Sequence, residues 1–355
     1  MAEPVVIFGG DVMFDKPLEH FRRVEDGFES VLAELQQSDL VVVNLEMPLS
    51  RRGYRVPKFA NYRCDPAMID DVKAVLGADA VSMANNHMMD WGPTAMLDTV
   101  EACEGAGIAH AGAGLDVDAA FAPAVLTSNG KRIEIISAAC TLPPESDAGV
   151  DKPGIAPVRV KFSFEMDPGL VSEQPGTVPE VHTWIDDQTM EDLCRRISDR
   201  KARADVVIVI MHWGVPAPWT TPTQGLLTEY QRPLAHAIID AGADLIIGNH
   251  PHAINPVEMY HGKCICYSMG NFVYGDTRPF MGAESILARM SLDSGTVELI
   301  PILLNEQGIP HRATGDEATR TLTMLQEMSA PLATDISIRN DRGYPRAAAT
   351  SVSDR

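Results

Sequence analysis

Along this chain, the residue types that bind metals or move protons recur at the ends of apolar runs. Residues 5–8 lead into Gly9-Gly10-Asp11, and residues 40–43 into Asn44-Leu45-Glu46. Residues 80–84 lead into Asn85-Asn86-His87, residues 204–211 into His212, and residues 243–248 into Asn249-His250-Pro251-His252. Imidazole, carboxylate and carboxamide oxygen together suit one or two divalent ions, with Mn, Zn, Ca, Mg and Fe all open. Polar strand ends scattered by chance would more often be Ser, Thr, Lys or Arg. His87 is a proton carrier or a nitrogen ligand, and Asp90, three residues on, can orient its ring. A second description stays open from the residues alone: buried strand ends whose polar groups are simply satisfied.

The apolar runs read as buried strands, and between the first four lie helical stretches at 27–37, 66–76 and 93–106. That alternation indicates βαβ units and a parallel inner sheet, whose strand carboxyl ends are where ligands meet side chains. Hairpins follow, at 123–139 around Asn129-Gly130 and at 257–269 around His261-Gly262, with further helices at 191–204, 226–241 and 317–328. The expectation is one α/β domain over residues 1–330. Two irregular insertions, at about 141–187 and 215–225, have the length of lids or binding loops. Residues 331–355 lack a core pattern and read as an extended or frayed tail.

Composition narrows the partners. With 355 residues and a formal net charge of −20, the chain lacks the basic balance of a nucleic-acid binder or of a protein docked on anionic lipid. No stretch approaches the roughly 20 apolar residues of a membrane helix, and the first residues carry no export signature, so a cytoplasmic location is expected. The six cysteines form no C-x-x-C pair and read as reduced core residues; Cys264-Ile-Cys266 places two thiols on one strand face. His20, His110, His182, His236, His261 and His311 lie away from the strand ends and read as surface or structural. Trp91, Trp213 and Trp219 flank the polar clusters and are candidates for holding an apolar or aromatic substrate. Asn44 and Asn85 are candidate substrate contacts, and Asn271, in Ser-Met-Gly-Asn-Phe, reads equally as a turn residue or a contact.

The ordered motifs Gly-Asp-x-Met, Asn-Leu-Glu, Ala-Asn-Asn-His-x-x-Asp-x-Gly, His-Trp-Gly, Gly-x-His-Pro-His and Ser-x-Gly-Asn-Phe, spread over residues 4–275, resemble the CapA family. That family is associated with poly-γ-glutamate capsule synthesis and has the fold of calcineurin-like metallophosphatases. The resemblance implies a four-layer α/β/β/α sandwich. It makes Asp11 and His252 ligands of a first metal and Glu46 a carboxylate bridging two. Asn86, His212 and His250 become ligands of the second metal, and His87 a proton-transferring residue that does not ligate. The phosphatases' first motif is Asp-x-His, whereas Asp11-Val12-Met13 lacks the imidazole. That weakens one metal position and leaves Asp11 freer to act as a base.

As a whole the sequence resembles the family's soluble branch that acts on ribosomally made peptides, the lasso-peptide epimerases. The expected activity is inversion of the Cα centre of a peptide's C-terminal residue, aromatic by the character of the site. His87 and Asp11 would handle the proton, with Asp90 orienting His87. A metal-dependent phosphoesterase and a CapA-type accessory role in capsule synthesis are the alternatives.

Overall fold

The apolar strands feed alternate side chains into separate cores. In the strand Val5–Met13, Val6 and Phe8 face one core while Ile7 faces another. In Val206–His212, Ile208 and Ile210 join Phe8, whereas Val207, Val209 and Met211 point the opposite way into a third core. A strand buried on both faces must be apolar at every position, which is why these runs show no polar alternation.

The computed structural model describes residues 3–24, 27–174, 176–214, 225–275 and 282–349. A 10-stranded sheet carries, side by side, Glu284–Ser291, Val5–Met13, Leu40–Leu45, Ala80–Ser82 and Ala109–Ala111, with Asn271–Tyr274 also parallel to Val5–Met13. A 6-stranded sheet runs Val257–Tyr260, Lys263–Cys266, Leu245–Asn249, Val206–His212, Lys131–Ala139, Ala124–Ser128. The two sheets pack on each other through the shared core. Helices Leu18–Val24, Phe28–Gln36, Ile69–Ala74 and Gly92–Gly105 cover the outer face of the first sheet. Asp187–Lys201 and Gln231–Asp240 cover the second. The four-layer α/β/β/α sandwich implied by the motifs is the architecture observed. Among the described residues, no helix is long and apolar enough to cross a membrane.

Two segments differ from the reading above. Within 141–187, Val160–Glu165 and Glu180–Ile185 form an antiparallel hairpin around the short helix Pro168–Glu173. Its alternation of Phe162 and Phe164 with Lys161, Ser163 and Glu165 has a strand period, but acidic, Pro-rich flanks hide it. The expected tail is also structured. Thr334–Arg339 and Arg342–Ala347 pair through a two-residue Asn340-Asp341 turn, with φ of 51° and 58°, and extend the larger sheet at its edge. Ile336 is buried there beside Leu299 and Leu322, and a Cβ at Gly343 would lie 2.9 Å from both Ile336 and Leu322. Most of the second insertion, 215–224, lies outside the described residues, and Trp219 with it.

Candidate metal centre

The parallel strands of both sheets end at the same edge of the sandwich, so their last residues converge between the layers. The first strand reaches the centre through a local irregularity. Its pairing with Leu40–Leu45 slips between Phe8 and Asp11. At Gly10 an added Cβ would sit 1.9 Å from the Gly270 carbonyl, so only glycine allows that approach. Asp11 follows, fully buried, its backbone N–H donating to that carbonyl at 3.2 Å. Two histidines are held in a backbone region side chains rarely occupy, His250 at φ 101° and His252 at φ 54°.

The side chains form two clusters that share one carboxylate. Glu46, His212 and His250 bring ligand atoms within 4.8 Å of one another, as do Asp11, Glu46 and His252. His212 Nε2 lies 2.7 Å from Asn86 Oδ1, 3.0 Å from His250 Nδ1 and 3.3 Å from Glu46 Oε1. His252 Nδ1 is 3.4 Å from Asp11 Oδ2 and 2.8 Å from Asn271 Oδ1. Asn44 Nδ2 donates to Asp11 Oδ1 at 2.7 Å, and the His250 backbone N–H donates to Asp11 Oδ2 at 3.2 Å. All six residues assigned as ligands by the motifs therefore meet at one place.

The donor set fits a divalent cation. Both Glu46 carboxylate oxygens are buried with no hydrogen-bond partner, and both carboxamide atoms of buried Asn249 are likewise unpartnered. Such orphans are costly without a counter-charge. Burial, with repulsion from His250, His252, His87 and Lys58, holds the His212 imidazole well below its ordinary range, and burial does the same for His250. Neutral imidazoles are the form that binds metals. Burial also lifts Asp11 to about 7, against the lowering effect of its hydrogen bonds from Asn44 and His250. Glu46 is raised well above its usual value by burial and then by the Asp11 charge.

Beside the centre sits a proton-handling pair. His87 Nδ1 is 2.8 Å from Asp90 Oδ2, and Asp90 also accepts the Tyr62 backbone N–H at 2.7 Å. The Asp90 contact fixes the orientation of the His87 ring. Lys58 joins the pair, donating to Asp90 Oδ1 and to the Asn86 carbonyl at 2.6 Å. Sequence reasoning missed Lys58, which follows no strand and lies in a loop 29 residues before His87. A cavity of about 360 Å³ opens next to Lys58, Asn86 and Asp90.

Other expected contacts sort differently. Trp213 is fully buried, stacked on Tyr267 and donating its indole N–H to the Tyr267 carbonyl at 2.9 Å, so it is a core residue and not a substrate contact. The strand ends at His212, and Trp213, the next residue, turns into the core under the helices. Asn85 is fully buried and spans the turn: its Nδ2 donates to the Leu45 carbonyl at 2.9 Å, and its Oδ1 accepts from the His87 and Met88 N–H groups. Asn44 and Asn271 orient Asp11 and His252. Trp91 lies under the Arg63 guanidinium, 3.6 Å from the ring centre. Met13 is packed in the helix-side core, where no imidazole is offered. Cys264 and Cys266 are buried between the sheets with sulfurs 4.0 Å apart.

Fold and centre together define a four-layer sandwich with a candidate divalent-metal site at the shared carboxyl edge of its two sheets. The chain belongs to the family described as bacterial capsule synthesis protein PGA_cap, whose model matches residues 5–276. It is similar to the PGA biosynthesis protein CapA of Bacillus subtilis, 29% identical over 310 residues, 84% of this chain and 71% of that protein. The capsule biosynthesis protein CapA of Bacillus anthracis is 29% identical over 81% of this chain and 63% of its own length. An uncharacterized protein of Sinorhizobium fredii is 26% identical over 78% of this chain and 67% of its own. Among solved structures, the NAD nucleotidase of Haemophilus influenzae overlays with a TM-score of 0.41 at 13% identity, covering 92% of this chain and 63% of that one.

Proposed function

We propose that the protein is a metal-dependent epimerase that inverts the Cα centre of the C-terminal residue of a ribosomally made peptide, a lasso-peptide precursor, in the cytoplasm. The observation that carries this reading is the presence of two different proton carriers at one candidate metal centre. Asp11 is a fully buried carboxyl beside Glu46 and His252, and His87 is an imidazole whose ring Asp90 orients at 2.8 Å. Epimerisation needs one group to remove a proton and another to return one. A divalent ion held by Glu46, Asn86, His212, His250 and His252 supplies Lewis-acid stabilisation of charge building on a carboxylate. Asn44 and the His250 N–H hold Asp11 in place, and the sheets exclude water behind it.

The shared Glu46 favours a second reading, a phosphoesterase, because a two-metal clamp suits attacking and leaving oxygens alike. The names of the Bacillus relatives favour a third, an accessory role in poly-γ-glutamate capsule synthesis.

Peptides ending in an aromatic residue, incubated in D₂O with and without chelator, separate these. The epimerase takes up one non-exchangeable deuterium at the last Cα, inverts it, and stops when the metal is removed. His87→Ala abolishes this and leaves metal content intact. Rapid cleavage of an aryl phosphate with no deuterium uptake would replace the epimerase with the phosphoesterase.

A further inference from the structure

The cavity beside the centre has a mostly apolar wall and one inner cation. Tyr54, Met89, Pro143 and Pro153 contribute rigid or apolar surface, and Lys58 and Asn86 stand where it meets the metal ligands. Lys152, also on the lining, is held at the rim by Asp147 at 2.8 Å and is 45% exposed. Lys58 differs: its side chain is only 17% exposed and its charge reaches Glu46, His212 and His250.

Two of its hydrogen bonds are short and the third is long. An ammonium has three N–H donors. One goes to Asp90 Oδ1 and one to the Asn86 carbonyl. The next polar atom, His87 Nδ1, is farther at 3.3 Å and makes its shorter contact, 2.8 Å, with Asp90 Oδ2. Beyond that long contact, which His87 shares with Asp90, the third Lys58 donor meets no side chain among the described residues, and Lys58 lies on the cavity lining beside Asn86, a candidate metal ligand.

We propose that Lys58 is a substrate-positioning residue: it binds an anionic oxygen at the mouth of the candidate metal centre while the apolar part of the same molecule fills the cavity. The substrate class is an organic anion with an apolar body, such as a peptide's terminal carboxylate with an apolar last side chain. This rests on the reading of the centre as the active site. The Asp90 and Asn86 contacts hold the ammonium rigid, so little freedom is lost when the anion binds.

The test is binding of 3-(indol-3-yl)propionate and its neutral amide to the whole protein, by calorimetry, with chelator and with Mn²⁺. Wild type prefers the carboxylate at least tenfold in chelator, where no metal contributes. Lys58→Met removes the preference and leaves the amide's affinity unchanged, Lys58→Arg restores most of it, and Pro144→Trp weakens both probes by filling the cavity. A purely structural Lys58 would move both probes together. Equal affinities in wild type, or a preference that survives Lys58→Met, would overturn the proposal. If Lys58→Met does not fold, the wild-type preference and Lys58→Arg decide it: a wild type with no preference, or a folded arginine variant that binds both probes equally, overturns it. Absence of deuterium exchange with the preference intact would remove the epimerase alone.

Discussion

At the scale of single residues, the centre is a balance between groups that burial pushes in opposite directions. Asp11 and Glu46 are driven to hold protons, while His212 and His250 are driven to lose them. For Asp11 the folded pKa of about 7 exceeds the ordinary 3.8. Its stabilising contribution is therefore complete below about pH 4 and is lost as pH rises through 7, because the unfolded chain ionises first. The histidines contribute in the opposite sense, present above their ordinary value and lost as pH falls. Comparison with Asp11→Asn isolates the carboxyl. In chelator, the melting temperature of Asp11→Asn rises relative to wild type between pH 5 and pH 8. With Mn²⁺ at saturation the order reverses, since the ion favours the ionised carboxylate that the variant lacks. A difference between the two proteins that ignores pH in chelator would show that Asp11 is not held protonated.

At the scale of elements, what was legible followed from strands and their ends. Asp11, Glu46, Asn86, His212, His250 and His252 could be picked out because a buried parallel strand is an unbroken apolar run and its carboxyl end is abrupt. Residues that serve the centre from elsewhere carried no such mark. Lys58 sits in a loop and meets Asp90 only through folding, and Asn249 was passed over for the histidines after it. The hairpins at 160–185 and 334–347 were missed for a related reason: each is short, half exposed and flanked by polar residues, so period-two alternation is weak. Trp213 misled in the other direction. An indole next to a ligand in sequence points to the opposite face of the strand, here into the helix-side core against Tyr267. Trp213→Ala accordingly behaves as a core truncation, lowering stability by about 3–5 kcal/mol as measured in urea. Trp213→Phe retains probe binding in the cavity. Lost carboxylate preference in a well-folded Trp213→Phe would return the indole to the substrate side.

At the scale of the whole molecule, the candidate ligands come from both layers. Asp11 lies within, and Glu46 and Asn86 follow, strands of the 10-stranded sheet, whereas His212 ends, and His250 and His252 follow, strands of the 6-stranded sheet. An ion shared by Glu46 and the histidines would therefore tie the two sheets together at one edge, where their contact is polar and carries orphaned oxygens. Away from that edge the sheets are already joined by the apolar core and by Leu322 and Leu325 of the helix Asp316–Ser329. Metal binding should stabilise by mass action, about 4 kcal/mol at a thousandfold excess over Kd, and its effect should be graded through the fold. Hydrogen exchange with and without Mn²⁺ reads this directly. Protection is expected to rise at residues 9–13, 44–47, 85–90, 212–214 and 249–252, on both sheets together, and to stay unchanged over 316–347. Protection confined to one sheet would mean that the ion is held by that layer alone, and the bridging role of Glu46 would fall. Protection equal along the whole chain would mean that the sandwich opens as one unit, leaving no local clamp at the edge.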